Sequence, residues 1–109
     1  MDNKLLDYTR EYIEKIKLSE DYIEYKNQAA LIKNFPDLME RINAYRDESF
    51  MIQRQYEGEQ LYDKMEEFNE KNEKLLEDPH VYDFLHAEAG FCRLMQDINM
   101  HILEGLEFE

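Results

Sequence analysis

Apolar residues recur at helical spacing along nearly all of this chain, and the spacing stops where helix-ending or helix-starting residues stand. Leu5, Leu6, Tyr12, Ile13 and Ile16 predict an amphipathic helix over residues 3–17. Ser19 offers a side-chain oxygen to the free N–H groups of a second helix, with Glu20 and Asp21 near its positive end. Tyr22, Tyr25, Ala29 and Ile32 line one side of that helix. Asn34-Phe35-Pro36 interrupts it, because proline cannot continue the hydrogen-bond ladder and restricts the residue before it.

From Pro36, the residues Leu38, Ile42, Tyr45, Ser49, Ile52 and Tyr56 form a seam of alternating four- and three-residue steps, with Ser49 its weak member. Leu61, Met65, Phe68, Asn72 and Leu75 form another seam, out of phase with the first. The jump between them contains Gly58, so a break or bend is expected over residues 56–60. Asp78-Pro79 ends that segment and starts a last helix to about Leu106, since Asp caps a helix and Pro suits its first turn. Val81, Leu85, Glu88, Cys92, Met95 and Ile102 recur along one side of it. The expected architecture is all-α: four to five helices with long antiparallel hairpins, a self-associating helical bundle, in one domain over residues 1–109.

Charge adds an asymmetry. The 109 residues carry a net charge of −13. Residues 1–54 hold nine Lys/Arg against eleven Asp/Glu, whereas residues 55–109 hold four against fifteen. The second half therefore suits a protein partner with a basic surface, or simply a solvated face. Direct nucleic-acid binding is disfavoured, because phosphates need clustered Lys/Arg. Met1-Asp2-Asn3-Lys4 is followed by no long apolar run, so neither a signal peptide nor direct membrane contact is expected, and a cytoplasmic protein is.

Candidate chemistry is sparse. His86-Ala87-Glu88 matches the His-x-Glu of zinc deaminases, but those enzymes also need a Pro-Cys-x-x-Cys segment, and Cys92 is the one cysteine. Asp83-x-x-His86 is half of a di-iron helix motif whose second half is missing. His80 and His101 lack ligand spacing. Cys92, on the apolar stripe, is expected to be an inert core thiol. No catalytic, cofactor or metal residue is assigned.

Glu88 is the polar position that stands out. An unpaired carboxylate on an apolar stripe costs several kcal/mol. Glu88 should therefore find a partner across the seam, with Arg46 and Tyr45 the candidates, as a buried pair that fixes helix register. The tyrosines Tyr8, Tyr12, Tyr22, Tyr25 and Tyr45 suit either core packing or a helical interface. Helical hairpins with apolar seams on two sides complete their cores by pairing, which predicts a homodimer or higher assembly.

One ordered set of residues has a familiar form. Ser19-x-x-Tyr22-x-x-Tyr25-x-x-x-Ala29 is followed by Pro36-Asp37-Leu38 with Ile42 and Tyr45-Arg46. Asp78-Pro79-x-Val81, Phe84-Leu85-x-Ala87-Glu88, Ile98 and Ile102 complete it. Across nearly the whole chain this resembles the YlbF/YmcA family. The resemblance implies a small, helical, cytoplasmic bacterial protein that self-associates and is not an enzyme. It further implies a link to the members that form a complex modulating ribonuclease Y, and through it messenger RNA maturation, competence, biofilm formation and sporulation. Those members carry cysteines, largely near the C-terminus, associated with iron–sulfur clusters. Here the chain ends Leu106-Glu107-Phe108-Glu109, and one thiol cannot supply four ligands unless subunits share a cluster. The match is closer to the cysteine-poor, YheA-like branch, with no cofactor.

The expected function is a non-enzymatic regulator or adaptor acting by protein–protein contact. Two other classes fit the same sequence: a structural homo-oligomer with no further partner, and a sensor of a small molecule or metal held between helices.

Overall fold

The computed structural model describes residues 3–107, in six helices and no strand among them. They are α1 (Asn3–Lys17), α2 (Glu20–Ile32), α3 (Pro36–Gln55), α4 (Gly58–Lys71), α5 (Glu73–Glu77) and α6 (Pro79–Gly105). Met1, Asp2, Phe108 and Glu109 lie outside the described residues, so the reading of both chain ends rests on sequence alone. Among the described residues no helix is long and apolar enough to cross a membrane.

The helix starts follow local chemistry. The Ser19 hydroxyl accepts from the Tyr22 N–H at 3.2 Å, and the Asp78 carboxylate accepts from His80 N–H at 2.9 Å and Val81 N–H at 3.4 Å. Each contact satisfies donors that a helix start leaves without an internal partner. Pro36 and Pro79 occupy first-turn positions, where their fixed φ already suits the helix. Between α3 and α4 the chain leaves helical geometry at Tyr56 and Glu57. Gly58 follows at φ +59°, a left-handed conformation that glycine adopts without steric cost.

One interruption was not expected. The seam from Leu61 to Leu75 is not one helix but two, parted at Asn72. Asn72 sits at φ −101°, ψ 8°, and its side-chain amide donates to the Phe68 carbonyl at 2.8 Å. The Asn72 backbone N–H donates to the same carbonyl at 3.1 Å, so α4 is capped at Asn72 and the backbone leaves α-helical geometry there. The break makes six helices where four to five were predicted.

The core lies where the end of α2, the first half of α3, α5 and the first turns of α6 meet. Ile32, Ile42, Leu75, Val81 and Phe84 form one buried cluster, with Tyr25, Leu38, Met39, Tyr45 and Leu85 half-buried against it. Phe68 and Ala87 are also buried. The longest helix contact is between α2 and α6, which are far apart in sequence.

This core is small for the chain. The radius of gyration is 18.1 Å and the extents are 50 × 37 × 21 Å. A compact domain of about 100 residues has a radius of about 13 Å. The accessible surface is 9036 Å², against about 6,400 Å² for a compact monomer of this mass. Helix α1 contributes no buried residue. Leu5, Tyr8, Tyr12 and Ile13 on it are all exposed, as are Ile102, Leu103 and Leu106 at the end of α6.

Candidate functional site

Arg46 is placed by the middle of α3 and Glu88 by the first half of α6. Arg46 Nη2 donates to Glu88 Oε1 at 2.5 Å, and the guanidinium also lies 5.7 Å from the centre of the Phe84 ring. The structure thus brings together two of the sequence candidates, forty-two positions apart. The pair is not buried, however. Its side chains retain 40 % and 30 % of their exposure, and no charged residue among those described is buried. Water reaches both groups, so this pair is worth about 1 kcal/mol rather than the several kcal/mol at stake in a dry interior.

Tyr45 does not approach Glu88 as a partner. It turns to α4 and stacks on Phe68 with ring centres 5.0 Å apart. Tyr22 and Tyr25 join the α2–α6 contact. Phe91 meets both rings at 5.5 Å, and Tyr25 also lies 6.3 Å from Phe84. Tyr12 stands apart from all of these. With Tyr8 and Thr9 of α1 and His101 and Ile102 of α6, it lines an open, largely apolar concavity at the end of the molecule.

The sequence missed part of α6 and misjudged another. Phe84, Ala87 and Phe91 face α2 and the core. Leu85 and Cys92 stand about 100° and 80° from Phe84 around the helix, at its flank. Cys92 is therefore an exposed free thiol, not the core thiol expected. A signal was present: Phe84, Glu88, Phe91, Met95 and Ile98 recur at steps of three and four residues just as the chosen stripe does. Two such stripes overlap on a helix this apolar, and only the partner α2 selects between them.

Two of the three histidines are in ring contacts. His80 stacks on Phe35 with centres 4.3 Å apart, and His86 on Tyr82 at 5.4 Å. No three His, Cys, Asp or Glu side chains among the described residues converge to hold a metal ion.

At the other end, α3 and α4 meet around Met51, Ile52, Tyr56 and Phe68, with Lys71 Nζ 3.0 Å from Glu48 Oε1 and Lys64 5.5 Å from the Tyr56 ring centre. The side of α4 turned away from Phe68 carries Glu59, Asp63, Glu66 and Glu70 at steps of four, three and four residues. Phe50 and Met51 of α3 and Tyr62 of α4 are exposed.

Residues 5–107 match the family model described as Control of competence regulator ComK, YlbF/YmcA. The chain belongs to the YlbF/YmcA family. No curated protein and no solved structure matches it. The match begins at Leu5 and ends at Glu107, so the exposed helix α1 and the exposed end of α6 are part of the family's pattern and not an appendage to it. The fold of this YlbF/YmcA chain is all-α over the described residues.

Proposed function

We propose that this protein is a non-enzymatic regulator in bacterial developmental control, and that it works by protein–protein contact. The family match over residues 5–107 carries the regulatory part of this reading, because the family is described by control of the competence regulator ComK. The family resemblance extends the reading to messenger RNA maturation through ribonuclease Y. Contact as the means of action is supported by the excess of exposed surface. A chain that leaves about 2,600 Å² more surface open than a compact monomer of its mass has material for more than one interface.

Two surfaces divide the work in this reading. The aromatic α1 end supplies self-association. The acidic side of α4 faces a protein partner with a basic surface, to which opposite charge adds association rate and selectivity. Exposed charges are screened over about 8 Å at physiological ionic strength, so the contact with that partner is salt-sensitive.

The test is purification of the tagged protein from its own cells at low and at high salt, with protein mass spectrometry. The expected result is a stoichiometric companion with a basic surface, held at low salt and lost at high salt. Recovery of the protein alone, after cross-linking as well, would overturn the adaptor reading in favour of a self-contained assembly.

A further inference from the structure

The α3–α4 end of the molecule holds an apolar groove with an acidic flank. Past Ile42 no residue of α3 is fully buried, and Phe68 is the buried residue of α4. Met51, Ile52, Tyr56 and Phe68 line an open groove of about 470 Å³ between the two helices. From Glu48 to Tyr56, which also line it, α3 rises about 12 Å, or about two turns of helix. Two packed helices leave such a groove for a third, which seats its own ridge of side chains in it.

Charge decides what suits the groove. Two lysines line it, and both are engaged. Lys71 Nζ lies 3.0 Å from Glu48 Oε1, and Lys64 Nζ lies 3.9 Å from Glu67 Oε2. The groove therefore offers no free cation to an anionic ligand. Around α4 from Phe68, at about 100° per residue, Lys64, Glu67, Asp63 and Glu70 follow in that order. Asp63, Glu66, Glu67 and Glu70 line a concavity of their own, and Glu67 is common to it and the groove. Asp63, Glu66 and Glu70 make no ion pair among the described residues. The apolar floor is thus bordered on the α4 side by carboxylates whose charge nothing in the chain offsets.

We infer that this groove seats an amphipathic helix of another protein. Its large apolar side chains, three and four residues apart, lie against Met51, Ile52 and Phe68, and its Lys or Arg side chains lie on the flank toward Asp63 and Glu70. Met51 is 50 % exposed, and its unbranched thioether side chain adapts to the shape of such a helix. This chain has no strongly basic helix to offer. Helix α1, its most basic, carries four Lys/Arg against three Asp/Glu, and each of the other helices has an acidic excess. The inference rests on the basic partner proposed above and gives that partner a form and a place to dock.

The experiment is a titration of the nitrogen-15-labelled full chain with three synthetic peptides of about fourteen residues, or four helical turns. Backbone amide shifts are the readout. The first peptide has leucine on one helical side and lysine elsewhere. The second has glutamate in place of lysine. The third has the composition of the first in an order that leaves no apolar side. The expected result is that the first peptide shifts the amides of Met51, Ile52, Tyr56 and Phe68, and binds at least about tenfold more tightly than either of the others. Met51→Ser and Asp63→Asn/Glu70→Gln, all at exposed positions, each weaken it severalfold. Shifts confined to other parts of the chain, or equal binding of the third peptide, overturn the groove, since charge alone then accounts for the contact. Equal binding of the second peptide overturns the basic character of the occupant. A companion recovered from cells whose binding ignores both variants overturns this docking site while the adaptor reading stands. Recovery of no companion overturns the two together.

Discussion

The junction around Ile42 and the helix α1 are both built from amphipathic sequence, yet one is buried and the other is not. At the junction, four helices meet around Ile32, Ile42, Leu75, Val81 and Phe84, and Ile42 and Val81 lose all contact with solvent. Helix α1 has an equally regular apolar face and meets only the edge of its own chain. Periodicity marks an apolar face and does not say what covers it. On the reading proposed above, the difference separates surfaces that hold the fold from a surface open to self-association.

Substitutions should sort the same way. Ile42→Ala removes a side chain at full burial and should cost about 2–5 kcal/mol in urea unfolding. A cost near zero would mean that the junction is not the core. The matching change on α1, Ile13→Ala, should leave the stability of dilute protein within about 0.5 kcal/mol, because Ile13 is exposed within one chain. At high protein concentration the same change should lower stability, since binding to the folded state alone adds to it by mass action.

Smaller effects sharpen the division. Asp78→Ala removes the cap that accepts from His80 and Val81 and should cost about 1 kcal/mol, measurable in the same unfolding experiment. A double-mutant cycle with Arg46→Met and Glu88→Gln should give a coupling of about 1 kcal/mol that shrinks with added salt, as suits a pair open to water. A coupling of several kcal/mol that ignores salt would show the pair to be drier in solution, covered by another chain. Glu66→Lys on α4 should change stability by no more than about 0.5 kcal/mol while weakening binding of a basic partner.

What was legible in the sequence was what local chemistry decides. Ser19 and Asp78 mark helix starts through bonds to residues two or three positions away, Pro36 and Pro79 through their fixed φ, and the structure forms those starts there. The break at Asn72 is also local, but asparagine fits a helix seam as readily as it interrupts one, and here its side chain and its own N–H share the Phe68 carbonyl. The orientation of α6 was not legible, because Cys92 and Phe91 are neighbours on overlapping stripes and α2, sixty residues earlier, chooses between them. For the candidate residues, Arg46 and Glu88 meet, as the need of a carboxylate on an apolar stripe for a partner across the seam suggested. The depth of that contact was not readable, since burial depends on everything packed around it. Tyr12 and Tyr22 look alike in sequence, and only the presence of Phe91 beside one of them tells their surroundings apart.

The central claim is that α1 is covered by a second copy. Amide hydrogen exchange of residues 3–17 at high and low protein concentration tests it directly. The account predicts slow exchange in α1 at high concentration that is lost on dilution, while Ile42 and Val81 stay protected at both. Fast exchange in α1 at every concentration would contradict it.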